Sequence, residues 1–243
     1  MIQHLLQLIW NQRKQNAWLW AELLLVSVFL WFLVDYLYVM GRTYTAPLGF
    51  DIRHTYSIVI SSLSERSPDY IPKEKRERPD GVHLLTALDR IRTYPGVESA
   101  CLTDGGMPYY MGSRNLVWRI DTLQVPCRYA FVTPEFFDVF RIYDKDGKTA
   151  SLKRAIEDNN SIVISADVET MNPGLSLLGQ KAYRGNVTDE IEETIRGISV
   201  PIRRHEYTKA EPNVYRALRL SRMEEGYYEG SDRCRATLRT CPS

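Results

Sequence analysis

Residues 17–40 read AWLWAELLLVSVFLWFLVDYLYVM, an apolar run close to the N-terminus. A helix rises about 1.5 Å per residue, so a run of this length crosses the roughly 30 Å hydrocarbon core of a bilayer. Trp18 and Trp20 stand near its first end, and Tyr36 and Tyr38 near its last, where amphipathic rings prefer the headgroup level. The sequence therefore predicts one membrane-spanning helix over residues 17–40, with the lipid bilayer around it.

Two acidic residues allow a second interpretation of this run. Glu22 and Asp35 leave residues 23–34 free of charge, a length that also suits the apolar core of a cleaved signal peptide. Signal peptidase requires small residues after that core, whereas the chain continues as DYLYVM. The flanking residues favour a retained anchor.

Basic residues beside the span predict its orientation. Arg13 and Lys14 precede it, whereas Asp35, Arg42 and Asp51 on the other side mix both signs. The positive-inside rule then places residues 1–16 in the cytoplasm, either as an amphipathic segment on the inner membrane surface or as an extension of the first helix. We expect a protein of the cytoplasmic (inner) membrane whose main domain is periplasmic or otherwise extracytoplasmic.

Glu22 is a candidate contact residue within the span. A carboxylate inside a bilayer is costly unless it reaches water or meets a partner. One interpretation keeps Glu22 hydrated near the cytoplasmic interface. The other places it against another helix, which would belong either to a second copy of this chain in a homodimer or to further spans of a larger assembly.

About 200 residues follow the span, enough for one sizeable domain or two small ones. The net charge of +1 comes from interspersed acidic and basic residues, which predicts no nucleic-acid surface. Residues 56–60 alternate as in a strand, a helix capped by Asp80 follows, and residues 97–102 form the next strand, which indicates a βαβ-like unit. The apolar face of that helix comprises Leu84, Leu85, Leu88 and Ile91.

The rest of the outer region contains more predicted strands and one aromatic helix. Residues 106–132, with strands at 116–120 and 125–132, are predicted to form a small second lobe. Thr133 is a predicted N-cap for a short helix, and residues 161–165 and 195–202 are further strands. We expect these later strands to complete the sheet that the βαβ-like unit begins. The aromatic residues expected to anchor the helix in the core are Phe136, Phe137 and Phe140.

The sequence offers no constellation for catalysis or for a metal. Four histidines are scattered without a second ligand at zinc spacing, and no phosphate loop or nucleophile motif occurs. We therefore expect no enzyme activity, no metal and no cofactor. Cys101 and Cys127, both near predicted strands, are the one pair considered for a disulfide, and free buried thiols are the other state considered.

Several segments, taken together, resemble a known family. After the basic N-terminus and the single span come PGVES at 95–99, VTPEFFDVF at 132–140, IVIS at 162–165, LGQ at 178–180 and GISV leading to EPNVY at 211–215. This order is similar to the N-terminal half of MacB/FtsX-type ABC transporter permeases, in the version found in Bacteroides-like bacteria. The most specific of these segments is VTPEFFDVF.

The resemblance implies a fold and a function. The fold class is α+β: one transmembrane helix, then a two-lobed extracytoplasmic α/β domain of the MacB periplasmic core type over residues 41–218. The expected function is that of a permease component, with mechanical coupling or partner contact outside and an ABC-type ATP-binding subunit as partner.

One departure and one alternative accompany this resemblance. Residues 219–243 are polar and dotted with arginine, so we expect a disordered tail and a truncated or frameshifted gene product. The alternative function is a single-pass extracytoplasmic sensor or protein-interaction module, whose outer domain binds a ligand or peptide.

Overall fold

The protein is described by a computed structural model. The structure describes residues 10, 13–59, 63–72, 75, 77, 80–110, 114–158, 160–184, 191–218 and 234–241. The chain divides into two compact units, residues 1–46 and 47–243. Each unit is described separately below.

The first unit contains helix α1, Arg13–Thr45, which is longer at both ends than the predicted span. Leucine and alanine favour the helix, and its interior contains no proline. The helix ends at Thr45 because Ala46 precedes Pro47, whose ring disfavours the α conformation of the residue before it. The amphipathic character predicted for residues 1–16 lies largely outside the described residues.

The second unit mixes helices and strands, as the sequence predicts. Its helices are α2 Asp80–Arg92, α3 Phe136–Val139, α4 Ala150–Glu157 and α5 Asp167–Met171. Its strands are β1 Thr55–Ile58, β2 Val97–Asp104, β3 Arg114–Ile120, β4 Leu123–Val132, β5 Ser161–Ser165, β6 Lys181–Arg184, β7 Ile191–Ser199, β8 Asn213–Ala217 and β9 Cys234–Thr240.

The described strands form one mixed sheet in the order β1-β9-β2-β4-β3-β6-β7-β5-β8. Strand β8 also pairs in parallel with β4, with Arg128 opposite Asn213 and Val132 opposite Ala217. This pairing joins β4, β3, β6, β7, β5 and β8 into a closed six-stranded ring. Strands β2, β9 and β1 extend from one end of β4.

One apolar cluster occupies the inside of the ring, since each of its six strands contributes buried side chains to it. Ile162 and Ile164 of β5 point inward, whereas Val163 between them belongs to a different cluster. This alternation is the period of two that a strand imposes. The buried members are Trp118, Ile120, Val125, Cys127, Ile162, Ile164, Val168, Leu177, Ala182, Ile195, Ile198 and Val214.

A second cluster lies outside the ring, where α3 and α4 cover β4, β5 and β8. Phe136 and Phe137 are fully buried and Phe140 nearly so, as predicted, and the rings of Phe136 and Tyr215 lie 5.4 Å apart. Helix α4 approaches β7 closely at Gly197, where an added Cβ would lie 3.0 Å from the Ala155 side chain of the helix. These contacts fix the helices against the sheet.

A third cluster lies beneath α2, which packs on the extension of the sheet. Leu84 and Leu88 are buried there, and Leu85 and Ile91 are partly buried. Strands β1 and β2 are both antiparallel to β9 and therefore parallel to each other, so the predicted βαβ-like unit is confirmed. Ile60 and the Asp80 side chain, also named in that prediction, lie outside the described residues.

The expectation of a disordered tail is wrong for residues 234–240. They form β9, which lies between β1 and β2 and pairs with both. Ala236, Thr237 and Arg239 are each no more than 2% exposed. This polar-looking segment is ordered because both of its edges are hydrogen-bonded and its side chains alternate: Ala236 packs in the cluster beneath α2, and the Thr237 hydroxyl on the other face donates to Met107 Sδ at 3.4 Å.

The second lobe predicted over residues 106–132 stays a prediction; of that range, β3 and β4 lie in the middle of the described sheet. The expected cap by Thr133 is wrong. Thr133 does not cap α3 through its side chain: its hydroxyl accepts a hydrogen bond from the Leu102 N–H of β2, at 3.2 Å. A tertiary contact takes the place of the predicted local one.

Candidate functional site

Helix α1 exposes its apolar side chains along its length. Residues Ala17–Thr45 are long and apolar enough to cross a membrane. The rings of Trp18, Trp20, Tyr36 and Tyr38 are each more than half exposed, at the two ends where the sequence predicts them. An apolar helix surface of this size is costly in water, so the helix suits a bilayer.

Glu22 is exposed on α1. The structure contains one copy of the chain, so the proposed contact between Glu22 and another helix stays a prediction.

A basic pocket lies in the second unit, where the start of the domain meets the end of β9. We call it the Asp51 pocket; it has a volume of about 190 Å³. The Asp51 N–H donates to the Phe140 carbonyl at 2.8 Å, which places the carboxylate beside the end of α3. The residues that line the pocket are Asp51, Arg53, His54, Arg141, Arg239 and Thr240.

Three guanidinium groups face the carboxylate of Asp51. Arg53 approaches it at 3.2 Å, Arg239 at 3.6 Å and Arg141 at 3.9 Å. Burial by itself would raise the pKa of Asp51, but hydrogen bonds from Arg53 and the charge of Arg239 outweigh it, so the pKa is lowered. Asp51 therefore carries a negative charge at neutral pH.

Arg239 supports this pocket from within the sheet. Its side chain is 2% exposed, and it donates to the Val139 carbonyl at 2.8 Å and to the Asp51 carbonyl at 2.6 Å. Charge-assisted hydrogen bonds of this kind are stronger than neutral ones. Arg239 thereby ties β9 to the end of α3 and to the start of the domain.

A second charged group lies inside the ring. Glu193 of β7, 1% exposed, forms ion pairs with Arg216 of β8 and, at 3.6 Å, with Arg184 of β6. The Arg216 guanidinium lies 5.1 Å from the centre of the Phe131 ring, a cation–π distance. These contacts join β6, β7 and β8 of the ring. Removing one partner from a buried ion pair costs about 3–5 kcal/mol of unfolding free energy.

The two cysteines considered for a disulfide are free thiols, both buried. They belong to different clusters, Cys127 to the one inside the ring and Cys101 to the one outside it. Burial raises the pKa of Cys127 to about 12 and that of Cys101 still further. Neither thiol is suited to be a nucleophile at neutral pH, since the thiolate is the reactive form.

No metal centre is found among the described residues, where no three His, Cys, Asp or Glu side chains converge. Of the predicted site residues, the structure brings none together with another. The Asp51 pocket was missed because Asp51, Arg141 and Arg239 are far apart in sequence. The signal available in advance was an arginine in the alternating segment RATLRT, which is unusual for a buried strand.

Comparison with known proteins gives matches to solved structures. No protein-family model and no curated protein matches the chain. A domain assigned to a permease protein of Porphyromonas gingivalis is 20% identical at a TM-score of 0.47, and the match covers 65% of this chain and 61% of that one. This chain therefore spans less than two thirds of that domain.

Two further solved structures match at the same TM-score of 0.47. The periplasmic region of MacB from Actinobacillus actinomycetemcomitans is 10% identical, over 83% of this chain and 81% of that one. The extracellular domain of the ABC-type transporter YknZ from Gram-positive bacteria is 12% identical, over 78% of this chain and 84% of that one.

Proposed function

We propose that the chain provides the first membrane helix and the extracytoplasmic domain of a MacB/FtsX-type ABC transporter permease. The observation that carries this proposal is the position of VTPEFFDVF, the most specific of the family-like segments. It runs from the end of β4 through α3, and its three phenylalanines are buried in the cluster outside the ring. The segment that carries the resemblance is thus a buried part of one of the domain's clusters.

The proposal includes an orientation, with the N-terminus in the cytoplasm and residues from 47 onward outside it. Arg13 and Lys14 before the helix support this direction. The test is a pair of reporter fusions after Pro47, one active only outside the cytoplasm and one only inside it. We expect activity from the first, and activity from the second alone would refute the orientation and with it the family.

The chain itself has no catalytic role in this proposal. ATP would be bound and hydrolysed by a separate or fused ABC-type subunit on the cytoplasmic side, and the membrane helix would transmit the resulting movement. The ring is suited to mechanical coupling because it is closed by the β4–β8 pairing and its interior holds an apolar cluster and the buried ion pairs of Glu193. An element of this kind moves as one body rather than deforming continuously.

A photocrosslinking amino acid at position 22 of the full chain, in its native membrane, tests the expected partners. Capture of a second membrane helix, from another copy or from other permease spans, is expected at position 22. A crosslinker at Leu24 is the matched control, because positions two apart point to different sides of a helix. Equal capture at both positions would exclude a specific contact by Glu22.

The complexes captured by this crosslinking, once purified, also test for the ATP-binding partner. An ABC-type ATPase that mass spectrometry identifies in them supports the proposal that the chain is a component of an ABC transporter. A captured protein with a signalling output domain instead of an ATPase would favour the single-pass sensor.

A further inference from the structure

The charges around the Asp51 pocket do not balance. Arg53, Arg141 and Arg239 contribute three positive charges, whereas Asp51 and Glu98, the latter 3.9 Å from Arg141, contribute two negative ones. The difference is one positive charge beside a cavity of about 190 Å³. That volume is several times the ~30 Å³ of a water molecule, enough for a tetrahedral oxyanion.

Two of the three arginines have donors that a ligand can reach. Arg53 donates from Nε at 3.2 Å and from Nη2 at 3.3 Å to the Asp51 carboxylate, and its Nη1 group remains for a ligand. The Arg53 side chain is 81% exposed and that of Arg141 is 39% exposed. Both carboxylate contacts of Arg141 measure 3.9 Å, beyond the 2.7–3.2 Å of a hydrogen bond. Arg239, by contrast, is directed to two backbone carbonyls and keeps the pocket in shape.

The backbone at the pocket is held in an uncommon conformation. His54 and Arg141, both lining residues, have φ angles of 58° and 49°. Residues other than glycine seldom adopt this region, and such strain is retained where surrounding contacts enforce it. Here the His54 carbonyl accepts a hydrogen bond from the Thr240 N–H at 3.0 Å, and the Arg141 N–H donates to the Asp138 carbonyl at 3.2 Å. These backbone contacts therefore fix the position of Arg141 at the pocket.

We propose that the Asp51 pocket binds a phosphate group through Arg53 and Arg141. A guanidinium presents two parallel N–H donors that match two phosphate oxygens. The phosphate has two sources, the headgroup of an anionic phospholipid or a free phosphate compound. The lipid source is compatible with the chain, since Thr45 and Asp51 are six residues apart and each residue spans at most ~3.6 Å. The proposal does not depend on the transporter assignment.

The first test titrates inorganic phosphate into the full chain in an uncharged, phosphate-free detergent and follows the ³¹P linewidth. We expect saturable binding that weakens about tenfold in Arg53→Gln and in Arg141→Gln, the loss of one charge-assisted hydrogen bond. Arg196→Gln is the matched control, because Arg196 is 55% exposed and pairs with Asp158 outside the pocket. Arg53 is solvent-exposed, so Arg53→Gln should leave the fold intact. Its phosphate affinity therefore decides the test if Arg141→Gln impairs folding.

A second titration distinguishes the two sources. Phosphatidylglycerol and diacylglycerol with the same acyl chains are added to the phosphate-loaded protein. Release of phosphate by phosphatidylglycerol alone identifies the lipid headgroup, and retention of phosphate identifies a free compound; either result supports the pocket. An unchanged linewidth throughout the first titration, wild-type binding by Arg53→Gln, or an equal loss in Arg196→Gln overturns the proposal.

Discussion

Replacing Arg239 by leucine should destabilise the extracytoplasmic domain severely. Leucine keeps an apolar side chain in the sheet but removes the donors that bind the Val139 and Asp51 carbonyls, at 2.8 Å and 2.6 Å. It also removes the ion pair with the Asp51 carboxylate at 3.6 Å. Each charge-assisted hydrogen bond contributes about 1.5–3 kcal/mol, and breaking a buried pair costs about 3–5 kcal/mol in total.

The expected loss for Arg239→Leu is therefore about 3–5 kcal/mol of unfolding free energy, a large part of the 5–15 kcal/mol of a typical domain. Hydrogen exchange of the β2 amides in the full chain, measured against urea in a mild detergent, reports on the domain apart from the membrane helix. Arg196→Leu, which removes an exposed arginine, should change the free energy by less than about 1 kcal/mol. An equal effect of the two substitutions would refute the role assigned to β9.

Two further predictions concern packing and pH. Phe137→Ala should lower the unfolding free energy by about 3–5 kcal/mol because Phe137 is fully buried. The control Tyr143→Ala, at a 38% exposed position, should lower it by less than about 1 kcal/mol. Comparable urea midpoints for the two variants would contradict the described packing. The hydrogen bond from the Ser151 hydroxyl lowers the pKa of Asp144 below its ordinary value of 3.8. The resulting stabilisation is present above about pH 4 and is lost as the pH falls through the lowered pKa. Ser151→Ala should therefore lower the melting temperature at pH 7 and have a smaller effect near pH 3, and a pH-independent difference would exclude this linkage.

The sequence by itself determined the elements whose signal is local. The membrane helix follows from the apolar run at residues 17–40, and α2 from apolar residues at helical spacing. The burial of Phe136 and Phe137 also followed from composition and spacing. In each case the pattern lies within one segment, so no knowledge of distant contacts is needed to interpret it.

Only the tertiary structure decided the arrangement of the sheet and the site. Strand β9 was missed because its arginines and threonines look exposed until Val139, Asp51 and the neighbouring strands supply their partners. The ring depends on β4 pairing with β8, and the Asp51 pocket on Arg141 and Arg239 meeting one carboxylate. Burial of a polar residue is decided by partners far away along the chain, and local periodicity carries no information about them.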